Sequence, residues 1–297
     1  MDTAATNSIA GEAALPAGGT TRLVPTRAWL LVVSMLSVQL GAGVAGRLME
    51  AVGAPGAVLY RQGGAAVVLL LVCRPTWRGR TSSEWRTLIA LGVALAAMNT
   101  SFYAAVERLP LGVAVTVELV GPLGLAAVMS RRVRDLVWVG AAVAGVAVLG
   151  GGGHDLDPVG LALALVAALG WASYILLSRA AGRWSTGVGS LGISMAIAAA
   201  LVAPAGMAAG RSLVRPESLV LGALVAILAG LVPFSLEMTA LRRVPPRVFG
   251  VLMSLSPVAA AASGWLVLGQ RLGGRDLAAM VLVMTASLAT VRAARRA

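Results

Sequence analysis

Runs of nearly unbroken apolar residues divide the chain at about 28–46, 54–73, 87–105, 111–129, 136–151, 158–178, 187–209, 218–241, 248–268 and 277–291. Polar residues concentrate in the short stretches between them. None of the runs shows the two-residue alternation of a half-buried strand. About 20 apolar residues wound as a helix match the hydrocarbon thickness of a bilayer. A helix also satisfies its backbone polar groups within its own segment, as lipid requires. The pattern predicts an all-α integral membrane protein with ten transmembrane helices. The fifth and tenth runs are short and would draw on their flanks to cross. Residues 1–26 are small and polar. They are expected to form a disordered cytoplasmic tail, with no cleaved signal peptide.

The apolar pattern contains an internal repeat. Residues 103–122 (YAAVERLPLGVAVTVELVGP) align with 238–257 (MTALRRVPPRVFGVLMSLSP). Pro110 then matches Pro245, and Pro122 matches Pro257, both at an offset of 135. Arg134-Asp135-Leu136 matches Arg275-Asp276-Leu277 after a short insertion. The units are expected to be 27–152 and 153–297, with five spans in each. An odd number of spans makes the second unit enter the membrane from the opposite side. Two inverted five-helix repeats are an architecture of secondary transporters, with substrate bound near the repeat interface. Each span proline also frees the carbonyl four residues before it. Glu118, Met253 and Ala229 lose their partners in this way to Pro122, Pro257 and Pro233. Such carbonyls are tolerated where they line a cavity or find a protein partner.

Composition agrees with lipid as solvent: 58% of residues are hydrophobic and 12% charged, with a mean hydropathy of +0.87. The net charge of +12 comes from 24 basic residues, all arginine, set mainly in the short connections. That distribution sets membrane orientation and does not form a nucleic-acid-binding face. With the N-terminus inside, 17 arginines fall on the cytoplasmic side and 6 outside, and Arg61 lies within a span. Both termini are therefore expected in the cytoplasm. A single cysteine (Cys73) and a single histidine (His154) exclude an intramolecular disulfide and Cys-cluster or paired-histidine metal sites. No cofactor is expected.

Three ionisable residues fall inside spans: Arg61, Glu118 and Glu237. A charge at mid-bilayer costs about 2.5–3.5 kcal/mol on insertion scales, so each needs a reason. Arg61 and Glu118 lie about 10 Å below the outer surface at 1.5 Å per residue, and Gln39 and Asn99 reach a similar depth. One cation, one anion and two amides in one layer suit a zwitterion. Arg61 would grip a carboxylate bidentately. Glu118 would take an ammonium group or a coupling proton. The same residues also fit a structural reading: an Arg61–Glu118 salt bridge, with Gln39 and Asn99 as interhelical hydrogen bonds. Glu237 lies near Arg242 and Arg243 at the cytoplasmic end of its span, where snorkelling and pairing is one role and coupling another. Tyr103, Trp171, Tyr174 and Ser256 are further candidates for the substrate wall, though aromatic residues there also serve as packing.

The segment PFSLEMTALRRVPPRVFGVLMSLSP, with Gly53-Ala54-Pro55-Gly56, Glu118-Leu119-Val120-Gly121-Pro122 and Arg131-Arg132, resembles the threonine/homoserine exporters of the EamA branch of the drug/metabolite transporter superfamily. The resemblance covers about 28–291. It implies a multi-pass plasma-membrane exporter of small amino acids, driven by proton exchange. It also implies that Arg61 corresponds to an arginine common in the second span, and Glu118 to the subgroup's fourth-span glutamate. Two positions depart from the pattern: Ser256 and Gln270 stand where the exporters carry glutamate. The expected partners are a small-molecule substrate, protons and the lipid bilayer. A drug or amine exporter relying on Glu118 and the aromatics is the competing reading. An intramembrane enzyme finds no paired carboxylates, histidine cluster or Ser/His arrangement to support it.

Overall fold

The computed structural model describes residues 28–130, 133–150, 157–182, 189–233, 236 and 252–293. Among these residues every regular element is helical and no strand occurs. The first helix, α1 (Ala28–Cys73), has 46 residues. That is about 69 Å at 1.5 Å per residue, enough for two crossings. It bends at Gly53, whose φ of 69° and ψ of 171° are open essentially to glycine alone. Just after the bend, the Ala54 N–H donates to the Glu107 carboxylate at 2.7 Å. The two arms are thus 28–52 and 54–73. The expected outer loop at 47–53 shrinks to one residue, because Arg47 and Glu50 stay in the helix. Arg47 Nε reaches the Val267 carbonyl at 2.7 Å. Apolarity ends where the side chains leave lipid, whereas the backbone continues to its glycine.

Helix α2 (Ser82–Val106) starts at a capping box. The Glu84 N–H donates to the Thr81 hydroxyl, and the Thr81 N–H donates to the Glu84 carboxylate. Helices α3 (Leu111–Glu118) and α4 (Val120–Ser130) form one crossing with an interruption. Helix α5 (Val133–Gly150) begins earlier than its apolar run. Asp157 caps α6 (Pro158–Ala181) and pairs with Arg108 at 3.3 Å. Helix α7 (Gly189–Met207) leads through a 3-10 turn (Gly210–Val214) to α8 (Pro216–Val225), which continues as a π turn (Ala226–Leu231). Helices α9 (Ser256–Leu268) and α10 (Gly274–Ala293) complete the described chain. The glycine run Gly150–Gly153, whose sequence reads as a flexible outer turn, lies mostly outside the described residues.

The helices pack as a bundle. Arm 28–52 lies on the π turn and α9, and arm 54–73 on α7 and α8. Helix α2 lies on α6, α3 on α9, and α5 on α10. At Gly121 the backbones of α4 and α6 come so close that any side chain would run into the Ala168 carbonyl. Leu71, Val72, Val128, Leu169 and Trp265 are more than half exposed, whereas Gln39, Gln62, Asn99 and Thr116 are buried. Among the described residues, five helical stretches are long and apolar enough to cross a membrane, with both arms of α1 counted as one. An apolar exterior around a partly polar interior is the arrangement lipid favours and water does not.

Gly53→Ala is expected to lower the thermal midpoint of the purified protein, because a non-glycine residue held in that conformation costs about 1–3 kcal/mol. In Gly124→Ala the added methyl meets nothing within 4 Å, so its midpoint should hold or rise. Scanning fluorimetry in detergent compares the two, and equal midpoints would contradict the bend's dependence on glycine.

Candidate functional site

The site is built around interruptions in the helices. Pro122 has no N–H for the Glu118 carbonyl, and α3 stops at Glu118. A second interruption, at 254–255, precedes Ser256 and Pro257. The third is the π turn before Pro233. There the Val232 N–H donates to the Ile227 carbonyl, five residues back. The same register would pair the Leu228 carbonyl with Pro233, which has no N–H. The Ser37 hydroxyl fills that gap, donating to the Leu228 carbonyl at 2.7 Å. Nearby, the Gln39 amide donates to the Ser256 carbonyl at 3.1 Å. Side chains of arm 28–52 therefore hold two of the three irregular segments.

Arg61 projects from arm 54–73 over the Tyr103 ring of α2, its guanidinium carbon 5.6 Å from the ring centroid. That separation is within cation–π range. Glu118, at the end of α3, lies within electrostatic reach of Arg61. Among the described residues, no ion pair within 4 Å joins them, and no hydrogen bond holds either head group. The salt bridge that sequence alone leaves open is not formed. A permanent cation and a titratable carboxyl share one neighbourhood without pairing directly, so a ligand with a carboxylate and an ammonium group could complete the set.

The remaining candidates divide. Gln39 and Ser256 are joined directly. Asn99 is buried, but its amide donates to Leu95 of its own helix at 2.8 Å and not across to another. Trp171 is half-buried against the apolar cluster of Leu119, Leu123, Ala142, Val283 and Ala286. Tyr174 is half-buried against the main core. The Tyr60 hydroxyl donates to the Leu213 carbonyl, which makes that ring a structural tie. Phe102 is buried with its ring 5.9 Å from that of Tyr103. Ser173 is exposed and bonds back to Leu169. Glu237, Phe234 and Phe249 lie outside the described residues.

Sequence reasoning missed two polar residues in this interior. Gln62 is 2% exposed and donates to the Leu95 carbonyl at 3.5 Å. Thr100 has a buried hydroxyl without a partner. Both directly follow a residue that was singled out, which was the available signal. Gln270 accepts from the Leu111 N–H at 2.9 Å, so this glutamine caps α3 across the helix pair. A cavity of about 300 Å³ opens elsewhere, at the helix ends, between Gly46, Met49, Glu50, Val106, Glu107, Leu268 and Gln270. None of the expected substrate residues lines it.

A lipid-facing helical bundle with helices interrupted near prolines, and with an arginine and a glutamate inside that do not pair with each other, has the construction of a membrane transporter. The model of the EamA-like transporter family matches residues 158–292. The Threonine/homoserine exporter RhtA of Salmonella typhimurium (strain LT2) is 40% identical over 287 residues, covering 94% of this chain and 96% of that protein. The exporter of the same name from Escherichia coli (strain K12) matches at the same identity and coverage. The chain belongs to the EamA-like transporter family, a family of transporters and not of enzymes. A solved crystal structure shares the fold, with a TM-score of 0.55 at 18% identity, covering 90% of this chain and 98% of that one.

Arg61→Lys retains the charge but loses the planar fork and its stacking on Tyr103. Transport per inserted molecule should fall about tenfold or more, the equivalent of one lost charge-assisted hydrogen bond. Transport rate against membrane-inserted protein is the readout, and native rates in both Arg61→Lys and Arg61→Gln would make Arg61 structural.

Proposed function

We propose that this protein exports small amino acids of the threonine/homoserine kind across the plasma (inner) membrane in exchange for protons. The observation that carries the reading is the uncombined pair of charges, Arg61 and Glu118. A free amino acid bears one carboxylate and one ammonium group and satisfies both. Arg61 takes the carboxylate and Glu118 the ammonium. Gln39, Asn99, Tyr103, Trp171, Tyr174 and Ser256 form the surrounding wall. The 40% identical relatives are threonine/homoserine exporters, which supports the same substrate class.

The proposed architecture is ten transmembrane helices in two inverted repeats, 27–152 and 153–297, with both termini cytoplasmic. Several observations support it. Interruptions occur at 119 and at 254–255, and Leu119 and Ser254 are separated by the 135 residues that also separate Pro122 from Pro257. The fourth span packs on the ninth through α3 and α9, and α5 packs on α10, which is how equivalent spans meet across a two-fold axis. The contact of α2 with α6 has its counterpart in that of α8 and the π turn with α1. The matched family segment, 158–292, has the length of one repeat. The arginine excess favours the cytoplasmic side for both ends.

Coupling is assigned to Glu118, with Glu237 as the second acid of the pathway. When Arg61 is engaged by a carboxylate, Glu118 experiences a weaker positive field. When an ammonium group binds, it experiences a stronger one. Its proton affinity therefore follows site occupancy, as an exchanger requires. Glu118→Gln keeps the shape and removes the titration. In liposomes with an imposed pH gradient it should lose gradient-driven threonine accumulation while retaining passive exchange. Accumulation equal to that of the unmodified protein would remove Glu118 from the coupling path.

A further inference from the structure

Among the described residues, six buried side-chain oxygens lack a hydrogen-bond partner: those of Thr100, Tyr103, Ser178, Ser190, Ser218 and Ser263. A buried hydroxyl without a partner costs about 1–3 kcal/mol, so each needs an explanation. The four serines sit singly on α6, α7, α8 and α9. Thr100 and Tyr103 instead sit together, one turn apart on the same face of α2. Tyr103 is 1% exposed and its ring lies beneath Arg61.

Thr100 is unusual in a second respect. A helical threonine can hide its hydroxyl by bonding to a carbonyl four residues back. Thr116 does this with Gly112, and Thr87 with Ser83. Asn99, the neighbour of Thr100, likewise spends its amide on Leu95. Thr100 makes no such bond. Two hydroxyls beside the proposed carboxylate site are thus left free to donate or accept, in a place that water does not reach.

We infer that the Thr100 and Tyr103 hydroxyls read the side-chain hydroxyl of the substrate, making the site selective for hydroxylated small amino acids. The inference rests on the amino-acid reading above and adds to it. Arg61 and Glu118 recognise what every amino acid shares, whereas the two α2 hydroxyls recognise what only some carry. A hydroxyl is both donor and acceptor, so one substrate oxygen can satisfy both protein groups. An analogue without the hydroxyl leaves them unpaired, which is the condition under which polar sites discriminate strongly.

L-2-Aminobutyrate tests this directly, because it is the deoxy form of both threonine and homoserine. Transport of the three amino acids is measured with the purified protein in liposomes, each as kcat/KM. The unmodified protein should prefer the hydroxylated pair by about tenfold or more. Tyr103→Phe and Thr100→Val each remove a polar group without changing shape, and the ratio should fall toward one. Neither variant breaks a bond within the protein, so the thermal midpoint of the empty protein should hold or rise. An unchanged ratio in both variants, with all three substrates reduced together, would overturn the inference and leave the amino-acid reading standing. Equal transport of all three by the unmodified protein would also overturn it. Absence of flux for all three would sink the amino-acid reading, and the hydroxyl assignment with it.

Discussion

A charge placed in hydrocarbon has to be compensated, and this protein carries two that do not compensate each other. Arg61 and Glu118 come from different helices and stand near one another without contact. Direct pairing would be the cheaper resting state, but under the proposed function it would fill the positions that a zwitterion needs. The bundle keeps the pair apart by anchoring each partner separately. Arg61 is stacked on a tyrosine that is itself buried. Glu118 ends a helix that Pro122 does not allow to continue unbroken.

That constraint extends into the backbone. Interrupting a helix in lipid exposes carbonyls, and each then requires a donor. Arm 28–52 supplies one through Ser37, and its Gln39 holds the Ser256 carbonyl at the start of α9. The arm can lie close enough because Gly41 faces Ala229, leaving no room for a side chain between them. The helix ends beside the Gly53 bend are tied as well. Glu107 receives the Ala54 N–H just after the Gly53 bend, and Gln270 receives the Leu111 N–H at the start of the helix that carries Glu118. A glutamine oxygen accepts from a backbone N–H as a glutamate oxygen would, so Gln270 holds this contact without a charge.

Much of this was legible in the sequence. Long apolar runs identify membrane helices, and a proline inside a run marks where the backbone will open, as at Glu118. Arg61 and Glu118 stand out because few charges enter the spans at all. The single-residue turn at Gly53 was hidden, because Arg47 and Glu50 resemble loop residues while remaining helical. The π turn was hidden too: Pro233 announces an opening but not which carbonyl loses its partner. The interhelical bond that the structural reading gave Asn99 does not form, since sequence gives depth in the membrane and not the direction of an amide. Thr100 escaped notice because a threonine in an apolar helix usually satisfies itself.

The central claim is that the two separated charges recognise the two charged ends of one amino acid. Calorimetric titration of the purified protein with L-threonine, L-threonine methyl ester and N-acetyl-L-threonine tests it most directly. The ester lacks the carboxylate meant for Arg61, and the acetylated form lacks the ammonium meant for Glu118. Threonine should bind, and each blocked derivative should bind about tenfold more weakly or worse, the loss of one charge-assisted contact. Binding of either derivative as tightly as threonine would contradict the account.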